Sequence, residues 1–190
     1  MEYPSDGKEP RRALHTEHVK SHNHAAVFAG YARSGIWTAV HVAQFACMAI
    51  FLAGLFALFF ALDVQAGLAK WAGRFGAASA VVTLALYGGV LAVDGVALKQ
   101  AVNAWASAPE AEKAARFATA EAIRWLEWGM RSYESFALGL AVILFAATVV
   151  RTAWVPRPIA YLMGFSGLTY DREKDAALTR QAAKTAWPTL

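Results

Sequence analysis

Cysteine and charged residues are scarce in this sequence. Its 190 residues include one cysteine, and Asp, Glu, Lys and Arg together make up 17%. A single cysteine excludes an internal disulfide and any CxxC metal or redox motif. A typical soluble domain is about one quarter charged, so the low charge argues against a water-soluble globule. The sequence also lacks the motifs GxGxxG, the Walker-type lysine loop, GxSxG and HExxH, which mark common nucleotide-binding and hydrolytic sites.

Apolar residues make up 57% of the chain, and they are clustered. The run Trp37–Leu62 contains no Asp, Glu, Lys or Arg, and it is longer than the about 20 residues that a membrane-spanning helix needs. Two further apolar runs cover Phe75–Leu98 and Trp128–Val150. The sequence therefore predicts an all-α fold, a polytopic transmembrane helical bundle with three long spans.

The third helix is predicted to extend beyond its apolar run. It should begin at Pro109 and continue to Val155, so its charged first part would protrude from the bilayer. After Pro156 and Pro158 comes a weaker apolar stretch, Ile159–Tyr170. This stretch is short, which favours an interfacial or re-entrant segment, but a short, tilted fourth crossing is an open alternative.

The charge distribution divides the chain and suggests an orientation. A polar, histidine-containing tail covers residues 1–24, the helical bundle covers 25–170, and a second polar tail covers 171–190. Lys and Arg near the first two spans favour a cytoplasmic N-terminus and second loop. The basic residues after the third span contradict this orientation unless a fourth crossing exists. Basic residues at the ends and in loops point to anionic lipid headgroups as partners, and no nucleic-acid-binding stripe is present.

Polar side chains within the spans should gather at one depth of the membrane. When the three helices alternate in direction, these side chains all lie toward the same end of the bundle. An unpaired charge at a helix centre costs about 2.5–3.5 kcal/mol, so the residues should be paired, near the interface or in a hydrated interior. Steps of three and four residues along the third helix allow such pairs, beginning at Arg124. The candidate ligand or ion pocket consists of His41, Gln44, Asp94, Glu127, Arg131 and Glu134.

Histidines in the N-terminal tail provide a candidate metal site. If the tail is helical, His15, His18 and His22 share one face, and such a group could bind zinc or copper. Polar tails also collect histidines by chance. His41 has no second histidine within a span for a bis-histidine haem site, and the sequence identifies no cofactor.

Two stretches, Val40–Phe45 and Ala120–Gly129, resemble small multi-span bacterial membrane proteins. The resemblance covers about residues 25–168 and implies an integral protein of the bacterial inner membrane. That group brings no established activity, so no functional residue is transferred. This chain differs in its short last apolar segment, which is followed by a charged tail.

The function expected first is a non-enzymatic accessory or structural subunit of a membrane assembly, with other membrane subunits or a second copy as partner. Three spans enclose little volume, whereas the charged stripe and tail offer docking surface. One alternative is an ion, proton or small-ligand binding or transport protein that uses the one-sided polar cluster. Another is a metal-binding membrane protein or enzyme that uses the N-terminal histidines.

Overall fold

The computed structural model describes residues 24–152 and 155–169, and these residues form helices and turns without a β-strand. This confirms the all-helical prediction for the described part of the chain. The predicted tails, 1–24 and 171–190, lie outside that part except for His24. The elements are α1 (His24–Arg33), α2 (Trp37–Leu62), α3 (Gly67–Ala92), a π-helical segment (Val93–Leu98), α4 (Lys99–Ala106), α5 (Glu110–Val149) and α6 (157–169).

Three stretches are long and apolar enough to cross a membrane. They are α2, the continuous helical stretch Gly67–Ala106 that includes the π-helical segment, and α5. The prediction of three membrane-length helices is therefore confirmed. The second stretch reaches Ala106 and so extends beyond the apolar run Phe75–Leu98. The third ends at Val149, earlier than the predicted Val155, because turns begin at residue 150.

The main core lies where α2, α3 and α5 meet. It is built from buried aliphatic and aromatic side chains, including Leu52, Ala80 and Phe145. Small side chains let α3 and α5 approach closely, since a Cβ atom added at Gly76 would lie 3.3 Å from the Cβ of Leu144. The close approach allows van der Waals packing between the two helices.

A second core joins α1 to α4 and to the first half of α5. Phe28 of α1 is buried against Leu98, Val102 and Ala120. The Lys99 ammonium group donates to the carbonyl oxygens of Tyr31 and Ala32, at 2.6 and 2.9 Å, and so caps the C-terminal end of α1. The charged first half of α5 is thus packed against two other helices. Its predicted position beyond the hydrocarbon stays a prediction.

The short helix α6 runs back along the C-terminal part of α5. Gly164 faces Ala146, and Gly167 faces Ile143 and the backbone of Gly139, so α6 is antiparallel to α5. The described part of α6, residues 157–169, is shorter than the about 20 residues needed to cross a hydrocarbon core of about 30 Å. The two alternatives for Ile159–Tyr170, a re-entrant or interfacial segment and a fourth crossing, both stay predictions, and Tyr170 lies outside the described residues.

Candidate functional site

The π-helical segment places Asp94 inside the bundle. Asp94 is 7% exposed, and side chains of α2 donate to the backbone around it. The indole N–H of Trp37 donates to the Asp94 carbonyl oxygen at 3.0 Å, and the Thr38 hydroxyl donates to the Gly95 carbonyl oxygen at 3.2 Å. Buried carbonyl oxygens need such partners, and π-turns are frequent at functional sites. The two bonds fix α2 to the segment that bears the carboxylate.

Gly95 allows His41 to lie directly against this segment. A Cβ atom at Gly95 would be 2.8 Å from the Cβ of His41, which is closer than side chains allow. The His41 Nε2 atom lies 3.2 Å from Oδ2 of Asp94, and its Nδ1 atom lies 2.7 Å from the Trp37 carbonyl oxygen. The missing side chain at Gly95 therefore makes the contact between the imidazole and the carboxylate possible.

Successive turns of α5 supply the charges that face Asp94. Nη1 of Arg124 lies 3.4 Å from Oδ1 of Asp94 and 3.2 Å from Oε2 of Glu127. Nη2 of Arg131 lies 3.5 Å from Oδ2 of Asp94, and its Nε donates to Glu127. Glu127 is fully buried. We call these five residues, His41, Asp94, Arg124, Glu127 and Arg131, the ion-pair cluster.

Aromatic rings border the ion-pair cluster on the side of α1. The Arg124 guanidinium lies 5.8 Å from the ring centroid of Tyr31 and 5.3 Å from that of Trp128. Both distances are in the range of cation–π attraction. Burial raises the pKa of Tyr31 above its ordinary value, so the phenol beside the cluster stays neutral at physiological pH.

The structure brings most of the predicted pocket residues together. His41 contacts Asp94, Asp94 contacts Arg131, and Arg131 contacts Glu127, whereas Gln44 lies on the exposed outer side of α2. The last predicted pocket residue, Glu134, is on α5, and so is Arg124, which is not among the predicted pocket residues. Glu134 is buried one turn beyond the cluster and interacts electrostatically with Arg131. Arg124 was left out of the candidate set, although its spacing of three residues from Glu127 indicated a pair.

Two grooves beside the cluster are lined mainly by apolar atoms. One, of about 290 Å³, touches the cluster at His41 and is otherwise bordered by residues such as Val42, Phe45 and Leu91. The other, of about 440 Å³, lies between α2 and α3 and includes Gln44. The cluster itself is held together by contacts among its own charged groups, so its arrangement suits mutual neutralisation or the binding of a very small species such as a proton.

Within the described residues, no group of three or more His, Cys, Asp or Glu side chains is arranged to hold a metal ion. The predicted metal ligands, His15, His18 and His22, lie outside those residues, and that hypothesis stays a prediction.

No family model, curated protein or solved structure matches this chain. A function for it must therefore be argued from its own helices and from the ion-pair cluster.

Proposed function

We propose that this chain is an integral membrane protein and a non-enzymatic accessory or structural subunit, which assembles with other membrane subunits or with a second copy of itself. The exposed Gln44 amide on the most apolar helix carries the proposal. The same proposal places the protein in the bacterial inner membrane with its N-terminus in the cytoplasm.

The burial of the three long helices supports a membrane setting. In the most apolar window of α2, 17% of the residues are buried, compared with 56% in that of α5, although α2 is the more apolar helix. In water the hydrophobic effect would favour the opposite order. Exposed side chains such as Ile50, Phe51 and Phe60 cover the outer side of α2, and hydrocarbon or another apolar helix would solvate them.

Gln44 supports a protein partner on this side of α2. It is exposed within the apolar helix, and its amide has no hydrogen-bond partner among the described residues. Transfer of an amide from water to a solvent without hydrogen bonds costs roughly 4–8 kcal/mol. Glutamine side chains in spans bond across helices, for about 1–2 kcal/mol in model peptides. A partner helix with a polar group at this depth would satisfy the amide.

The residues around Gln44 would allow another helix to approach. Ala43 and Cys47, one turn apart and both exposed, border the groove between α2 and α3 together with Val40 and Tyr87. Small residues at four-residue spacing favour close helix contact in membranes. The groove could thus receive a partner helix at the depth of the amide.

Cys47 makes the proposal testable in the native sequence, since it is the single cysteine and lies next to this groove. Mild oxidation of the protein in its own membranes should produce a disulfide dimer if a second copy packs there. A bifunctional thiol–amine reagent should link Cys47 to a different protein, and so give an adduct of higher mass than the single chain, if another subunit packs there. The Cys47→Ser variant is the control for thiol chemistry.

The amide is tested by Gln44→Leu, with Ile50→Leu as a control elsewhere on the exposed side of α2. At equal abundance, Gln44→Leu should weaken association roughly 5- to 30-fold, equivalent to about 1–2 kcal/mol, and Ile50→Leu should not. Energy transfer between labelled chains in vesicles measures self-association, and adduct yield measures association with another subunit. Unchanged association in Gln44→Leu, with Cys47 remaining uncrosslinked in native membranes, would contradict the proposal.

A further inference from the structure

Both nitrogen atoms of the buried His41 ring face oxygen atoms. The Trp37 carbonyl oxygen lies 2.7 Å from Nδ1, and Oδ2 of Asp94 lies 3.2 Å from Nε2. A carbonyl oxygen only accepts hydrogen bonds, so Nδ1 must carry a proton to make its contact. A neutral imidazole would then have no proton left for Nε2.

The second contact therefore requires one more proton. Without it, the Nε2 lone pair would face a carboxylate oxygen, and two acceptors would meet in a buried position. We propose that His41 and Asp94 together form a proton-binding site inside the bundle. The proton is held between Nε2 and Oδ2, as an imidazolium beside a carboxylate or as an imidazole beside a carboxylic acid.

Charged groups from the neighbouring elements set the electrostatic surroundings of the bound proton. Arg124 and Arg131 of α5 face the Asp94 carboxylate, and Glu127 binds both guanidinium groups. From α1, neutral Tyr31 packs against Trp37 with ring centroids 4.2 Å apart. From α4, the Lys99 ammonium is directed to the carbonyl oxygens at the end of α1.

The charge count of these groups accommodates the bound proton. Two guanidinium groups balance the carboxylates of Asp94 and Glu127, so a bound proton adds one positive charge. Glu134, buried one turn further along α5, acts electrostatically on Arg131 and supplies a balancing carboxylate when it is ionised. Six ionisable groups thus become neutral as a set when the His41–Asp94 site is occupied.

Release of the proton would change the contact between two helices. Three α2 side chains, Trp37, Thr38 and His41, all bind within Asp94–Gly95. Deprotonation replaces the hydrogen bond between Nε2 of His41 and Oδ2 of Asp94 by a repulsive contact between two lone pairs. It also leaves the group of ionisable side chains with a net negative charge. The N-terminal end of α2 is therefore fastened to the π-helical segment in a proton-dependent manner.

Solid-state nitrogen-15 resonance of the full chain, labelled at histidine and incorporated in lipid vesicles, tests the site directly. The His41 signals are assigned by dipolar coupling to the labelled carboxyl carbon of Asp94, and independently by their loss in His41→Gln. At neutral pH we expect either two protonated ring nitrogens, or an unprotonated Nε2 together with a carboxylic acid band in the infrared spectrum. Either result supports a shared proton.

An isosteric variant and a matched control separate the site from general structure. Asp94→Asn places an amide donor opposite Nε2, so His41 should become a neutral imidazole protonated at Nδ1, and any carboxylic acid band assigned to Asp94 should vanish. Glu121→Gln, which alters the partner of His24 at 2.9 Å, should leave the His41 signals unchanged. A neutral His41 without a protonated Asp94 in the wild-type protein at neutral pH would overturn the proposal, even if neither variant folds.

Discussion

Glu127 is fully buried on α5, where it binds Arg124 and Arg131. Removal of this carboxylate leaves Asp94 as the one acidic ion-pair partner of the two guanidinium groups within the ion-pair cluster. Loss of one partner from a buried ion pair costs about 3–5 kcal/mol, because the remaining charge is desolvated and uncompensated. We expect Glu127→Ala to lower the free energy of unfolding by about that amount, as measured by denaturant unfolding in detergent micelles.

Glu112 provides the comparison for Glu127 on the same helix. It pairs with Arg116 at the same four-residue spacing, but both side chains are more than half exposed. Exposed pairs contribute about 0–1 kcal/mol, so Glu112→Ala should change stability little. Equal losses in the two variants would show that burial of the Glu127 carboxylate is unimportant.

The spacing of charges along α5 could be predicted, whereas the position of Gln44 could not. Arg124, Glu127 and Arg131 share a face because steps of three and four residues do so on any α-helix. Gln44 is a candidate for another reason, since it lies near the N-terminal end of the first apolar run, at the same depth as His41. The contact face of α2 is narrow and follows His41, Leu52 and Leu55, so a residue three positions from His41 lies at its edge. The width of a contact face depends on how the neighbouring helices pack, so it cannot be predicted from the sequence of α2 alone.

At the scale of elements, the joint between α2 and the π-helical segment depends on Gly95. A Cβ atom there would lie 2.8 Å from the Cβ of His41 and 3.0 Å from its Cγ, both held close to the backbone. Gly95→Ala should push the N-terminal end of α2 away and lower stability by about 1–3 kcal/mol, the usual cost of overpacking. Thermal unfolding followed by circular dichroism measures the loss.

Gly89, six residues earlier, is the matched control for Gly95. Its added Cβ would meet only the terminal methyl group of Met130, which can rotate away. Alanine is also favoured over glycine within a helix by about 0.5–1 kcal/mol. Gly89→Ala should therefore be neutral or stabilising, and a loss as large as that in Gly95→Ala would contradict the proposed close contact.

The attachment of α6 to α5 depends on Gly167. A Cβ atom there would lie 2.9 Å from Cγ1 of Ile143 and 3.1 Å from the Gly139 carbonyl oxygen, whereas one at Gly164 would lie 3.6 Å from Ala146. A backbone oxygen cannot rotate away, so Gly167→Ala should displace α6 and speed hydrogen exchange of its amides. Gly164→Ala should not. Similar rates of amide hydrogen exchange in the two variants would mean that contacts other than the one at Gly167 attach α6 to the bundle.

The helices could be predicted more completely than their irregularities. Apolar length alone indicates all three long stretches. The π-helical turn at Asp94 could not be located, because its carbonyl partners, Trp37 and Thr38, are about 57 residues away in sequence. Local propensity contains no information on such distant donors.

For the whole molecule, the proposed membrane arrangement predicts which connections share a side. If α2, the stretch Gly67–Ala106 and α5 each cross once, the turn after α2 and the start of α6 lie on one side, and the turn before α5 lies on the other. Single cysteines at the exposed positions Gln65, Ser107 and Arg157, in a Cys47→Ser background, report these sides.

With the proposed cytoplasmic N-terminus, a membrane-impermeant maleimide added outside intact inner-membrane spheroplasts should label Gln65→Cys and Arg157→Cys, but Ser107→Cys only after permeabilisation. The physical reason is that each apolar helix is longer than the about 20 residues needed to cross, while the charged side chains of the ion-pair cluster bind one another within the bundle. Labelling of Gln65→Cys and Ser107→Cys from the same side would contradict a crossing by the stretch that carries Asp94, and would place the ion-pair cluster outside the membrane.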